Sequence, residues 1–259
     1  MKKIALLFIF LMINTPLWAQ NTEEKLNETI EIIVTTNTIV IGPDFSGTQL
    51  FIAGTIENID QLARIQNQYN VIVVLEGPIQ PMTIRKKSRR LGMWINDESL
   101  TFERVPQYYA LASTRELRDI TNAKTYEQLQ LSFNNIFMAP QSNNEKEISL
   151  FHDALIHEKQ IQKLYSENIG GVSFGKSSLF TARFFLPANV PVGQYTVKAY
   201  LFKTGRFQAD SSTELEIIKD HLAYFIFNEA KTHGIWYGII AVIIAIVTGL
   251  TGRFIFRKD

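Results

Sequence analysis

The stretch Tyr195-Thr-Val-Lys-Ala-Tyr-Leu201 decides the fold class. Its odd-numbered positions are apolar and its even-numbered ones mostly polar, the period of two expected of a strand with one face buried and one in water. Outward from it, Leu179–Leu186 and Phe207–Ile218 read as further strands. Towards the N-terminus, Ile30–Thr35, Thr38–Ile41 and Thr48–Ile56 are rich in β-branched residues, and Val71–Leu75 is a short, fully apolar strand closed by Glu76-Gly77-Pro78. Asp60–Asn70 fits a short helix or a loop. Trp94-Ile95, Leu100–Phe102 and Gln107–Leu111 suggest further short strands or turns.

Helical spacing begins at about Thr114 and is clearest over Asn144–Asn168. There Ile148, Phe151 and Leu155 share one face, and Ile161, Leu164 and Tyr165 continue a neighbouring one. Many short strands with Gly/Pro turns and one helical interruption predict a mainly β fold: an immunoglobulin-like β-sandwich ectodomain with a helical insertion over about 114–168. The segment Pro187-Ala-Asn-Val-Pro-Val-Gly193-Gln-Tyr195 adds a specific expectation, a tyrosine corner in which the Tyr195 phenol bonds back to the preceding loop.

The two ends are hydrophobic for other reasons. Lys2-Lys3, the apolar run Ile4–Ile13 and the break at Asn14-Thr15-Pro16 before Ala19 have the layout of a secretory signal over residues 1–19. Residues 20–29 are polar and read as a tether, followed by an exported β-rich domain over 30–218 and a juxtamembrane segment over 219–233. No formal charge occurs from Thr232 to Gly252. As a helix that run spans roughly 32 Å, which matches a bilayer, so 234–252 reads as one C-terminal transmembrane helix. Arg253, Arg257 and Lys258 follow it, and the positive-inside rule puts the tail, 253–259, in the cytoplasm. The expectation is a type I single-pass protein whose large N-terminal segment lies on the far side of the membrane from the cytoplasm.

Charge and chemistry narrow the function classes. Gln20–His233 carries 21 basic and 24 acidic residues, a balance that argues against nucleic acid as a partner. The chain has no cysteine, which excludes disulfides, thiolate nucleophiles and Cys-ligated metals. No HExxH pattern and no recognisable Ser/His/Asp spacing occurs, and Gly42–Gly47 lacks the Lys-Ser/Thr of a phosphate loop. His152 and His157 lie about 140° apart on a helix, while Asp153 and His157 share a face without a third ligand. The expectation is therefore a non-enzymatic protein without metal or cofactor.

Two features could bind something. Arg85, Lys86, Lys87, Arg89 and Arg90 place five cations in six residues, fit to receive an anion or an acidic partner; the alternative is a solvated strand edge. Ala241, Ala245 and Gly249 form a small-residue stripe along the terminal helix, against which another transmembrane helix, of this chain or of a second membrane protein, could pack closely.

An ordered set of pieces resembles the alphaproteobacterial transmembrane family of the Alph_Pro_TM type. They are Phe45-Ser-Gly47 with Leu50–Gly54, Val71–Pro78, the basic run into Gly92-Met-Trp94-Ile-Asn96, and Val105-Pro106-Gln-Tyr-Tyr109. The last piece runs from Tyr237-Gly238 through Ala241, Ala245 and Thr248-Gly249 to Phe256-Arg257. Leu250-Thr251 departs from it, where such helices often carry Trp. The resemblance implies an inner-membrane protein with a periplasmic domain and brings no established activity. It also implies an accessory role beside sulfite-exporter-like permeases of the TauE/SafE type, by association rather than mechanism.

Overall fold

The computed structural model describes residues 27–34, 37–42, 44–175, 178–220 and the helix Gly234–Ile255, within which the side chains of Gly238, Ile239 and Val242–Thr251 are described. The signal peptide expected over 1–19, most of the expected tether, 221–233 of the expected juxtamembrane segment and the residues beyond Ile255 lie outside the described residues.

The chain is mainly β. Its strands are β1 (Thr29–Ile33), β2 (Thr38–Ile41), β3 (Gly47–Glu57), β4 (Tyr69–Glu76), β5 (Ile79–Arg90), β6 (Met93–Pro106) and β7 (Tyr109–Ser113). After a helical stretch come β8 (Tyr165–Ile169), β9 (Val172–Phe174), β10 (Leu179–Pro187), β11 (Gly193–Lys203) and β12 (Arg206–Lys219). The helices are α1 (Gln61–Ile65), α2 (Leu117–Ile120), α3 (Ala123–Gln128), α4 (Glu145–Ile161) and α5 (Gly234–Ile255).

Two sheets share one core. The first has the order β1-β3-β10-β9 and is antiparallel throughout. Strand alternation turns Ile52, Gly54 and Ile56 of β3, with Phe180, Ala182, Phe184 and Leu186 of β10, inward. The second has the order β2-β12-β11-β4-β7-β8, with parallel pairs at both edges, β12 with β2 and β7 with β8. Tyr195, Val197, Ala199 and Leu201 of β11 supply its inner face, as the alternation of that strand predicts.

The second sheet is covered on its outer side as well. β4 and β7 are buried along nearly their whole length, and the segment that follows β7 adds the fully enclosed Ile120 and Leu131 to the same core. That segment is tied down by Ser132 Oγ donating to Glu167 Oε1 (2.6 Å) and Thr121 Oγ1 donating to the Gly205 carbonyl (2.8 Å), with Phe133 stacked on Tyr165. Burial on both faces explains the continuous apolar run Val71–Leu75.

Two expectations need correction. The helix expected over Asn144–Asn168 stops at Ile161, because Lys163 adopts a left-handed backbone (φ 58°) and breaks the spiral. Leu164 is buried just before β8 and Tyr165 opens that strand, so neither continues a helix face. The separate short strands expected around Trp94 and Leu100 are instead parts of one long hairpin, β5–β6.

Counted over described residues alone, no helix is long and apolar enough to cross a membrane. The element α5 itself is 22 residues long, Gly234–Ile255.

Candidate functional site

The hairpin is the feature that stands out from the core. It continues the β4–β7 pair without a break: Gly77 N donates to the Tyr108 carbonyl (2.8 Å) and Gln107 N to the Pro78 carbonyl (2.9 Å), carrying the ladder from one pair into the next. Glycine is needed at 77, since a Cβ there would sit 2.9 Å from Tyr108 Cβ and 3.0 Å from the Tyr195 ring. The lower half is anchored by Leu100, Phe102 and Val105, all buried, and by α4, whose Phe151, Leu155 and Ile156 join the same core. Lys159 of α4 is buried too. Its Nζ donates to the Gln107 carbonyl (3.2 Å) and Oε1 (3.1 Å), and burial lowers its pKa to about 8.

Beyond Leu100 the ribbon stands alone. No residue from Arg85 to Ser99 is buried. The end turns on Leu91 and Gly92, both left-handed (φ 50° and 82°), as a two-residue type I′ hairpin requires. Leu91 is 99% exposed, Trp94 70% and Met93 65%, so the tip offers apolar side chains directly to its surroundings.

The register sorts the five cations. A bulge at Lys86/Lys87 leaves Asp97 as the extra residue on β6. Lys86 pairs with Glu98 (3.0 Å), and Arg90 Nη2 donates to both carboxylate oxygens of Asp97 (2.8 and 2.9 Å). The hydrogen bond from Arg90 holds the Asp97 carboxyl below its ordinary pKa. Arg85, Lys87 and Arg89 fall on the opposite face of β5 by alternation, opposite Ser99, Asn96 and Trp94 of β6. Among the described residues no ion pair engages these three. One face of the ribbon is thus internally neutralised; the other carries three uncompensated positive charges and an exposed indole.

A cleft of about 670 Å³ opens at the ribbon's base, lined by Glu76, Arg104, Gln130, Phe137, Thr196 and Lys198 among others. Its charges are partly spent on one another, since Lys198 Nζ lies 2.6 Å from Glu76 Oε2. A smaller hollow of about 410 Å³ contains Asp153 and His157 with Phe133 and Ile156. Among the described residues, no group of three or more His, Asp or Glu is placed to hold a metal ion.

The sequence-predicted residues therefore divide. Arg85, Lys87 and Arg89 form a single face, while Lys86 and Arg90 are engaged within the ribbon. On α5, Ala245 and Gly249 are exposed, and the side chain of Ala241 lies outside the described residues. Thr248 and Thr251 bond back to carbonyls of their own helix, Thr248 to Ile244 (2.6 Å) and Thr251 to Val247 (2.8 Å). Sequence reasoning missed the tip residues Leu91 and Met93 and the neutralising Asp97 and Glu98. The signal available for them was Leu91-Gly92 between two polar runs of similar length.

Residues 29–258, nearly the whole chain, match the family described as "Putative transmembrane protein (Alph_Pro_TM)". The chain belongs to the Alph_Pro_TM family. No curated protein and no solved structure matches it. The Alph_Pro_TM match covers the ribbon, the cleft and α5 alike, so all three lie within the family's extent.

Proposed function

We propose that this Alph_Pro_TM chain is a membrane-anchored, non-enzymatic binding module that engages its partner through the distal half of the β5–β6 ribbon. The observation that carries this reading is the sorting of charge: three cations without carboxylate partners on one face of an arm whose distal residues touch no core. A bare two-stranded hairpin is marginal in water, and exposed Leu91, Met93 and Trp94 make it more so, which favours a surface made to be covered.

Anchoring rests on α5. Twenty-two residues span about 33 Å as a helix, the thickness of the hydrocarbon core. Ile239, Val242, Ile243, Ile244, Ile246, Val247 and Leu250 are all exposed around it, an arrangement suited to lipid and costly in water. The flanking charges support a type I orientation in the bacterial inner membrane, with a cleaved signal peptide and a periplasmic domain. That domain we read as an immunoglobulin-like sandwich, on the strength of its shared two-sheet core and of the Tyr195 hydroxyl bonding back to the loop before its strand.

A second reading, an accessory docked by its helix to a sulfite-exporter-like permease of the TauE/SafE type or to a second copy of itself, draws support from the exposure of Ala245 and Gly249. One experiment separates the two. A photo-crosslinking residue is placed at Trp94 or at Ala245 in the full chain in native membranes, with and without R85E/K87E/R89E. Charge-sensitive adducts from position 94 are expected; adducts from position 245 alone, or adducts from 94 that ignore the charge reversal, would overturn the ribbon reading.

A further inference from the structure

We infer that the ribbon's partner is the anionic phospholipid surface of the very membrane that anchors the chain; this rests on the binding-module reading above and names its ligand. β4 and β12 both run antiparallel to β11, so both leave the sheet at the same end: Glu76 and Glu214 flank Thr196, and Ile217 lies opposite Gly193. From that end β4 leads through Gly77-Pro78 into the ribbon, and β12 leads through residues 221–233 to α5. The arm and the anchor therefore issue from one end of the domain.

Ile79 to Arg90 is a strand of 12 residues, about 37 Å long at ~3.4 Å per step. The 13 residues between Asp220 and α5 permit a separation of at most about 45 Å. The tip thus falls within the distance at which the bilayer surface can stand from the sheet.

A membrane–water interface is met by cations that pair with headgroup phosphates beside an indole and aliphatic side chains that enter the acyl boundary. Arg85, Lys87 and Arg89 share a face with Trp94, and Leu91 and Met93 lie at the turn just beyond. An acidic protein surface would satisfy the cations but leave Leu91 without a reason. The cleft at the base is a poorer candidate, since its Lys198 is already paired with Glu76.

The test uses the full chain in nanodiscs. Because the chain has no cysteine, Leu91→Cys gives a single labelling site for an environment-sensitive fluorophore. In discs of phosphatidylcholine with phosphatidylglycerol, the label is expected to shift to the blue and to be quenched by brominated acyl chains; in phosphatidylcholine alone it is not. Each cation near an anionic surface is worth roughly a fivefold change, so R85Q/K87Q/R89Q is expected to lower the ratio of docked to free ribbon on the order of 100-fold, and R85E/K87E/R89E by more. Equal signals in both disc types, or a signal unchanged in both triple variants, would overturn the inference. If there is no quenching but charge-sensitive protein adducts form from position 94 in native membranes, the lipid assignment falls and the binding-module reading stands. If neither quenching nor adducts appear, both fall.

Discussion

The Tyr195 hydroxyl donates to the Pro191 carbonyl at 2.6 Å, four residues upstream, closing the loop between β10 and β11. The ring itself is fully buried and packs against Tyr108, whose own hydroxyl donates to the Phe185 carbonyl of the first sheet (2.9 Å). Two phenols side by side thus bind β10 and its following loop to the second sheet, and burial raises the pKa of both, keeping them neutral donors.

Tyr195→Phe keeps the ring and removes the donor, leaving the Pro191 carbonyl without that partner. It is expected to cost about 1–2 kcal/mol, read as a lower denaturation midpoint at unchanged slope. An unshifted midpoint would mean that the loop is held by packing alone.

Gly54 is the inward residue of β3 that faces Phe180. A Cβ at that position would lie 2.2 Å from Phe180 Cζ and 2.5 Å from the Glu31 carbonyl oxygen, so the ring occupies the space a side chain would need. Gly54→Ala is expected to destabilise by about 1–3 kcal/mol through overpacking, with Phe180→Leu in the same chain recovering part of the loss. Thermal unfolding of the single and double variants checks this, and equal destabilisation by both would locate the strain at Glu31 instead.

Legibility followed burial. β11 shows its alternation because one of its faces meets water, and Val71–Leu75 shows as an apolar run because β4 is covered on both sides. The distal ribbon gave no pattern, since both faces of Arg85–Ser99 are solvated and no apolar period marks them. The end of α4 was hidden for another reason: Leu164 and Tyr165 keep helical spacing, and only the backbone at Lys163 stops the helix. At the candidate site the five cations were visible in the sequence, but their division was not. Which of them Asp97 and Glu98 neutralise depends on the bulge, and a bulge is a property of two paired strands rather than of either alone.

Glu28 Oε1 accepts from both Tyr69 Oη (2.5 Å) and Lys203 Nζ (2.6 Å), with Lys203 also 5.2 Å from the Tyr69 ring centroid. The carboxylate raises the Lys203 pKa. The side chains of Glu28 and Lys203 are only 10% and 17% exposed, so this pair is largely desolvated and ties the start of β1 to the end of β11. Lys203→Met is expected to cost about 3–5 kcal/mol by stranding the carboxylate, whereas Lys203→Met with Glu28→Leu recovers much of it. A double-mutant cycle on unfolding free energy tests this; additive costs would show the two residues to be energetically independent.

Lys159 gives the fold a signature at alkaline pH. Well below pH 8 its ammonium is charged in both the folded and the unfolded chain, and the full burial penalty is present. Between about 8 and the ordinary lysine value of 10.5 the folded chain releases its proton while the unfolded chain still holds one. The unfolded state then binds more protons, so stability rises with pH across that window. Lys159→Met preserves the unbranched stem that packs α4 against the ribbon's base but removes the titration. The stability of the native chain relative to this variant is expected to climb by about 2 kcal/mol from pH 7.5 to 9.5, at a shift worth about 1.4 kcal/mol per pKa unit. Taking the difference between the two proteins cancels the buried tyrosines, which titrate alike in both. A difference that stays flat across this range would mean that the bonds to Gln107 keep the ammonium charged inside the fold.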